Sequence, residues 1–266
     1  MLRDSTVTYA DIVAEHRVWL QRFDKQRVKK WDDLLKANSE AAICEAMTRK
    51  FFSDHDIDVQ PYEDLSGGGP DFLCFKNDKD FYVEVTCITK EAATKETCLN
   101  DVPQESSHAH YYRLLTQKIF YELCNKTPQC SSLGNPCVVA MCTLHFQASC
   151  LCLDRKAAEF LLTGTPKIAW KIDVSRGEAV GNSYQSTDLQ DSLYIRPDKN
   201  EISSIEEARR VISGVLLCPF GAYPQKFLGI LHPNPNHAFD RTLLPEIKFC
   251  RLADGYQTGR LSVEWI

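Results

Sequence analysis

The sequence predicts an α/β protein built on a mixed central β-sheet flanked by helices. Three observations lead there. Between residues 38 and 163, segments with helical spacing and segments with strand character follow in the order helix, strand, strand, strand, helix, strand, helix, a pattern that packs helices onto a sheet. The runs DFLCF (71–75), FYVEVTCI (81–88) and PCVVAMCTL (136–144) are apolar at neighbouring positions, as strands covered on both faces are. The chain has 266 residues, 44% of them hydrophobic and 25% charged, which suits a soluble globular protein with room for one large domain.

Each element has its own local reason. Residues 9–36 read as one long helix, because Val13, Trp19, Leu20, Phe23, Val28, Trp31, Leu34 and Leu35 recur at three- and four-residue spacings. The same stretch is the most basic of the chain, with Arg17, Arg22, Lys25, Arg27, Lys29 and Lys30 against the single acid Asp24 between positions 16 and 30. It reads either as a solvated face or as a surface for phosphates, with Arg22, Arg27 and Lys29 as the candidate contacts. Asn38 or Ser39 caps a second helix whose face is drawn by Ile43, Cys44, Met47 and Phe51. Glu40 falls on that face, where a carboxylate needs compensation; Glu45 is directed nearer the opposite side.

A short strand in IDVQPYEDL is followed by SGGGP (66–70), whose glycines let backbone or substrate approach the next strand. The triple glycine lacks the Lys-Ser/Thr ending of a phosphate-binding loop. Residues 91–110 are polar and read as loop with some helix, then HYYRLLTQKIFYELC (110–124) supplies a helical face. A helix at 154–163 stops at Gly164. From about 172 to 202 the composition turns to Ser, Asp, Gly and Asn, the signature of a long connection or lid. A capped helix is expected at 203–213, with Ser203 and Glu206 at capping-box spacing, followed by strands in VLLC, FLGIL, PEIKFCRL and RLSVEWI. The expected division is an N-terminal amphipathic basic helix (1–37), a core (38–171) and a C-terminal extension packed on that core (172–266).

The net charge of -5 gives no global attraction for a polyanion, so any such contact must be local. No apolar run is long enough to span a membrane and residues 1–12 lack a signal-peptide core, which places the chain in the cytoplasm. The twelve cysteines lie mostly within apolar runs and form no CxxC pair, so they read as reduced, buried thiols. Cys98 with His108 or His110 has no thiol-hydrolase signature around it.

Two carboxylates stand apart from this pattern. If Asn77 and Asp78 make a two-residue hairpin turn, Asp71 and Glu84 lie directly opposite each other on central strands, with Cβ atoms roughly 5 Å apart. Acids that close repel and shift each other's pKa unless a cation lies between them. The pair is therefore half of a divalent-metal site.

The set of Glu40, then GGGPDF with Asp71, then FYVEVT with Glu84 resembles the PD-(D/E)XK nuclease superfamily over roughly residues 38–145. The resemblance implies a restriction-endonuclease-like core and metal-dependent hydrolysis of phosphodiester bonds, as an endonuclease or exonuclease. Asp71, Glu84 and Glu40, with Glu45 as the alternative to Glu40, would hold Mg²⁺ or Mn²⁺, with nucleic acid, DNA before RNA, as the partner. A homodimer would follow if both strands of a duplex are cut with one site per chain. The superfamily's lysine position, two residues after Glu84, holds Thr86, which can hydrogen-bond a water and cannot supply a positive charge. Lys118 is the first candidate for a relocated lysine and Lys90 the second. Gln117 and Tyr121 are similar to a Q-x-x-x-Y motif of the RecB-like branch. The alternative implied by Thr86 is a lapsed member that binds nucleic acid or another protein without cutting.

Overall fold

The computed structural model describes residues 8–64, 68–97, 99–102, 110–131, 133–152, 155–188, 192–196, 204–205, 209–223, 225–253 and 261–266. Three helices open the chain: α1 (Tyr9–Leu20), α2 (Lys25–Ala37) and α3 (Ser39–Asp54). The expected single helix over 9–36 is thus broken in two. Asp24, in extended conformation, accepts a hydrogen bond from the Gln26 amide at 2.9 Å and starts α2 afresh, a capping role that an interior helical position would deny it. Asn38 caps α3 through the Ala41 amide at 3.1 Å.

The strands β1 (Asp58–Pro61), β2 (Phe72–Lys76) and β3 (Lys79–Cys87) form an antiparallel meander. After α4 (Lys90–Thr97) and α5 (His110–Lys126) comes β4 (Cys137–Thr143), then α6 (Phe146–Cys152) and α7 (Arg155–Thr163). β4 lies parallel to β3, as the long crossover between them requires.

Residues 165–188 depart from the expected connection. They form an antiparallel ribbon of β5 (Thr165–Asp173) and β6 (Glu178–Asp188) with a register shift between Ala169 and Lys171. Ile172 and Val180 in these strands and Val174 in the turn between them are exposed. The short pair β7 (Ile195–Arg196) and β8 (Ser204–Ile205) follows. β8 occupies the start of the expected 203–213 helix, and residues 209–211 form only a short turn; Ser203 and Glu206 lie outside the described residues.

The chain closes with β9 (Gly214–Pro219), β10 (Leu228–Leu231), β11 (Lys248–Leu252) and β12 (Val263–Trp265). These join the first four in one eight-stranded sheet of order β1-β2-β3-β4-β9-β10-β11-β12. The protein is therefore an α/β protein with a mixed eight-strand sheet packed against helices. Pro61, which cannot donate to a ladder, sits in the edge strand β1.

The sheet has an apolar layer on each face. On one face Phe72, Phe81, Val83 and Val138 pack under α1, α2 and α3 with Trp19, Trp31 and Phe52. On the other, Val139, Met141 and Val215 pack under α5, α6 and α7 with Ile119, Ala148 and Leu161. Because side chains alternate along a strand, Tyr82, Glu84 and Thr86 face the α5 side, while Phe81, Val83 and Val85 face α3. The ten cysteines among the described residues are free thiols, and no described helix is long and apolar enough to cross a membrane.

Candidate metal centre

The hairpin that carries the acid pair follows from its turn. Asn77 and Asp78 both adopt positive φ, +52° and +57°, the left-handed conformation that a two-residue hairpin of type I′ needs and that Asn and Asp tolerate best among residues with side chains. The turn sets the register from Lys76 opposite Lys79 to Phe72 opposite Val83. One step further along that register, Asp71 stands opposite Glu84. Asp71 is anchored at both ends: its Oδ2 accepts the Val85 amide at 2.7 Å, and its carbonyl accepts the Tyr62 amide at 2.9 Å.

Glu84 is 2% exposed. Its Oε1 pairs with Nζ of Lys126 at 2.5 Å, and its Oε2 is buried without a hydrogen-bond partner. Burial, reinforced by the charge of Asp71, pushes the Glu84 carboxyl up to about 8, with Lys126 pulling against it. Asp71 is raised well above the usual carboxylate range, first by burial and then by Glu45, while the Val85 amide pulls it down. Burial opposes the charge on Lys126, but the carboxylate of Glu84 more than offsets that and its pKa is raised. Two carboxyls that resist ionisation in the bare protein are what a cation site looks like when charge compensation is incomplete.

The third acid is Glu45. It projects from α3 into the cavity that Asp71 also lines, and burial followed by the charge of Glu63 raises it to about 8. Its Oε1 lies 3.6 Å from Nε2 of His16, a fully buried imidazole packed against Trp19 and Trp31. Glu40 is not brought to this place. Its carboxylate accepts the Lys90 amide at 2.8 Å at the start of α4, where Lys90 Nζ also pairs with Asp101 at 2.7 Å. The face assignment from sequence misses this because α3 is covered almost all round. Ala42, Cys44, Ala46, Met47, Thr48, Arg49 and Phe52 are buried, so the side holding Glu45 meets α1 and α2 instead of water.

Lys118 and Lys90, the two candidates for a relocated lysine, are both engaged elsewhere. Lys118 pairs with Glu122 one turn along α5 at 2.8 Å. The lysine that reaches the acids is Lys126, the last residue of α5, which sequence reasoning missed. The i, i+4 spacing of Lys118 and Glu122 is the local signal against Lys118. Thr86 is buried on the same side of β3 as Glu84, and Gln117 is half-buried on α5. Cys98 and His108 lie outside the described residues.

No family model matches the chain, and no curated protein or solved structure shows significant similarity to it. The chemistry rests on the residues themselves. Among the described residues, no group of three or more His, Cys, Asp or Glu is disposed to hold a metal ion together. That leaves the opposed pair of Asp71 and Glu84 as the candidate donors. This fits Mg²⁺ or Mn²⁺, which prefer hard oxygen ligands, and Mg²⁺ is commonly held by one or two carboxylates while keeping several waters. The orphaned Oε2 of Glu84 is the atom such an ion would satisfy.

Proposed function

We propose that the protein is a metal-dependent nuclease, with a restriction-endonuclease-like core formed by α3, β1, β2, β3, α5 and β4, acting on DNA. The observation that carries the reading is the convergence of Asp71, Glu84 and Lys126, which supplies two carboxylates and a cation on the strand pair where the resemblance calls for them. Asp71 and Glu84 would hold Mg²⁺ or Mn²⁺, and the ion supplies an acidified water and charge stabilisation at the phosphate. Lys126 takes the part left vacant by Thr86. Its ammonium is directed at the acid pair from the neighbouring helix, where it can orient a water and stabilise charge building on a phosphate oxygen. Thr86, two residues beyond Glu84 on the same side, offers a hydroxyl to the same water. Glu45 adds negative charge near Asp71 from the other side. Cutting both strands of a duplex would bring two copies of the chain together.

The test is incubation of purified protein with linear and supercoiled DNA, single-stranded DNA and RNA in Mg²⁺, Mn²⁺ or EDTA. Cleavage dependent on either metal and lost in both Asp71→Ala and Glu84→Ala is expected. Cleavage that survives both substitutions overturns the site. Binding without cleavage of any substrate favours the lapsed, binding-only reading to which Thr86 points.

A further inference from the structure

We propose that the cavity between α2 and Asp71 is a seat for a backbone phosphate of the nucleic-acid strand, in which Arg27 and Lys30 hold the phosphate next to the one under attack and the Glu63 carboxylate sits in its place until the strand displaces it. The inference rests on the nuclease reading for what lies beside the seat, and on the lining of the cavity for the seat itself.

The cavity measures about 250 Å³ and is lined by Arg27, Lys30 and Trp31 of α2, by Glu45 of α3, by Glu63 and by Asp71. The charged part of the lining thus divides into two cations from α2 and three carboxyls, and Leu20, Leu34 and Pro61 complete the cavity. A strand crossing an ion-assisted nuclease site needs that division. The scissile phosphate goes to the ion held by carboxylates, and the neighbouring phosphate needs fixed cations.

Both cations are engaged by one residue in the bare protein. Lys30 Nζ pairs with Glu63 Oε1 at 2.7 Å, and Arg27 Nη1 donates to the Glu63 carbonyl at 2.9 Å. The two contacts differ in kind. The Arg27 bond fixes the Glu63 backbone, whereas the Lys30 pair is between side chains 43% and 33% exposed, and pairs so open to water are weak. The Glu63 side chain can therefore swing away without moving the chain that carries it. A phosphate then replaces one carboxylate with a group that accepts from several donors at once, for which the planar fork of Arg27 is suited.

The seat makes opposite predictions for the two ends of one ion pair. Glu63→Gln removes the competing charge and should tighten binding of a fluorescent single-stranded DNA oligonucleotide about fivefold or more in EDTA, where no cleavage occurs. Lys30→Ala should weaken it about tenfold and reduce the slope of log affinity against log salt by about one; Lys30→Gln is the second variant should the alanine form melt early. A plain structural pair predicts instead that all three variants leave affinity unchanged or shift it in the same direction, and that result overturns the proposal. Cleavage measured alongside separates the two readings. Opposite shifts in binding without any cleavage keep the seat and sink the nuclease, whereas metal-dependent cleavage with unaltered binding and KM in these variants keeps the nuclease and sinks the seat.

Discussion

Replacing Glu84 by glutamine removes the ionisation of a carboxyl that the fold holds far from its ordinary range. In the folded protein this group is raised from 4.5 to about 8, by burial first and Asp71 second. The unfolded chain gives up the proton first as pH rises, so the stability tied to the protonated form is complete below pH 4.5 and is lost on the way to 8. At 1.36 kcal/mol per unit, the wild-type protein should lose about 3 kcal/mol relative to the Glu84→Gln variant between pH 5 and pH 8. The side chain is 2% exposed, so solvent screening reduces this little. Denaturant unfolding in EDTA at the two pH values gives the difference directly, free of any constant offset from leaving Lys126 unpaired. Adding Mg²⁺ at pH 8 should stabilise the wild-type protein and leave the variant unmoved. A stability gap between the two proteins that is the same at pH 5 and pH 8 would refute the electrostatic account of the acid pair.

Two further substitutions separate the lysines and probe the far end of the sheet. Lys126→Met should lower turnover by about 10²-fold or more while leaving the Mg²⁺ midpoint nearly in place, and Lys118→Met should leave turnover unchanged; steady-state rates across a Mg²⁺ titration decide, and equal losses in the two variants would return the role to α5 as a whole. Gly229→Ala would put a Cβ about 2.1 Å from Cδ1 of the buried Phe249 on the paired strand, so a loss of about 1–3 kcal/mol in denaturant unfolding is expected, and a wild-type midpoint would show that the two strands can part at little cost.

The parts of this protein that were legible in its sequence are those fixed over a few residues. The Asn77-Asp78 turn and the flanking apolar runs specify a hairpin and its register, and with it the opposition of Asp71 and Glu84. The same local logic gives α3 its cap at Asn38 and places β9 to β12 as strands. What escaped depends on elements distant in the chain. Lys126 is one of two lysines on α5 until the helix docks, and only docking brings its Nζ to Glu84. Glu45 looks solvated on an isolated helix, yet His16, Trp19 and Trp31 of the preceding helices cover that side. The ribbon of β5 and β6 was hidden for a different reason: from 172 on its sequence is rich in Ser, Asp, Gly and Asn, and Ile172, Val174 and Val180 are exposed.

The parallel register of β4 with β9, which joins Val138 to Gly214 and Thr143 to Pro219, has a kinetic consequence. Those strands meet only after a loop of roughly 70 residues closes, and long-range pairings of this kind slow folding. The β2–β3 hairpin, closed by two residues, can form far earlier. During refolding the two carboxylates should therefore face each other before α5 arrives with its cation. If the pair holds a divalent ion, that ion would find its ligands before the sheet is complete, and Mg²⁺ should accelerate the early phase of refolding more than the late one.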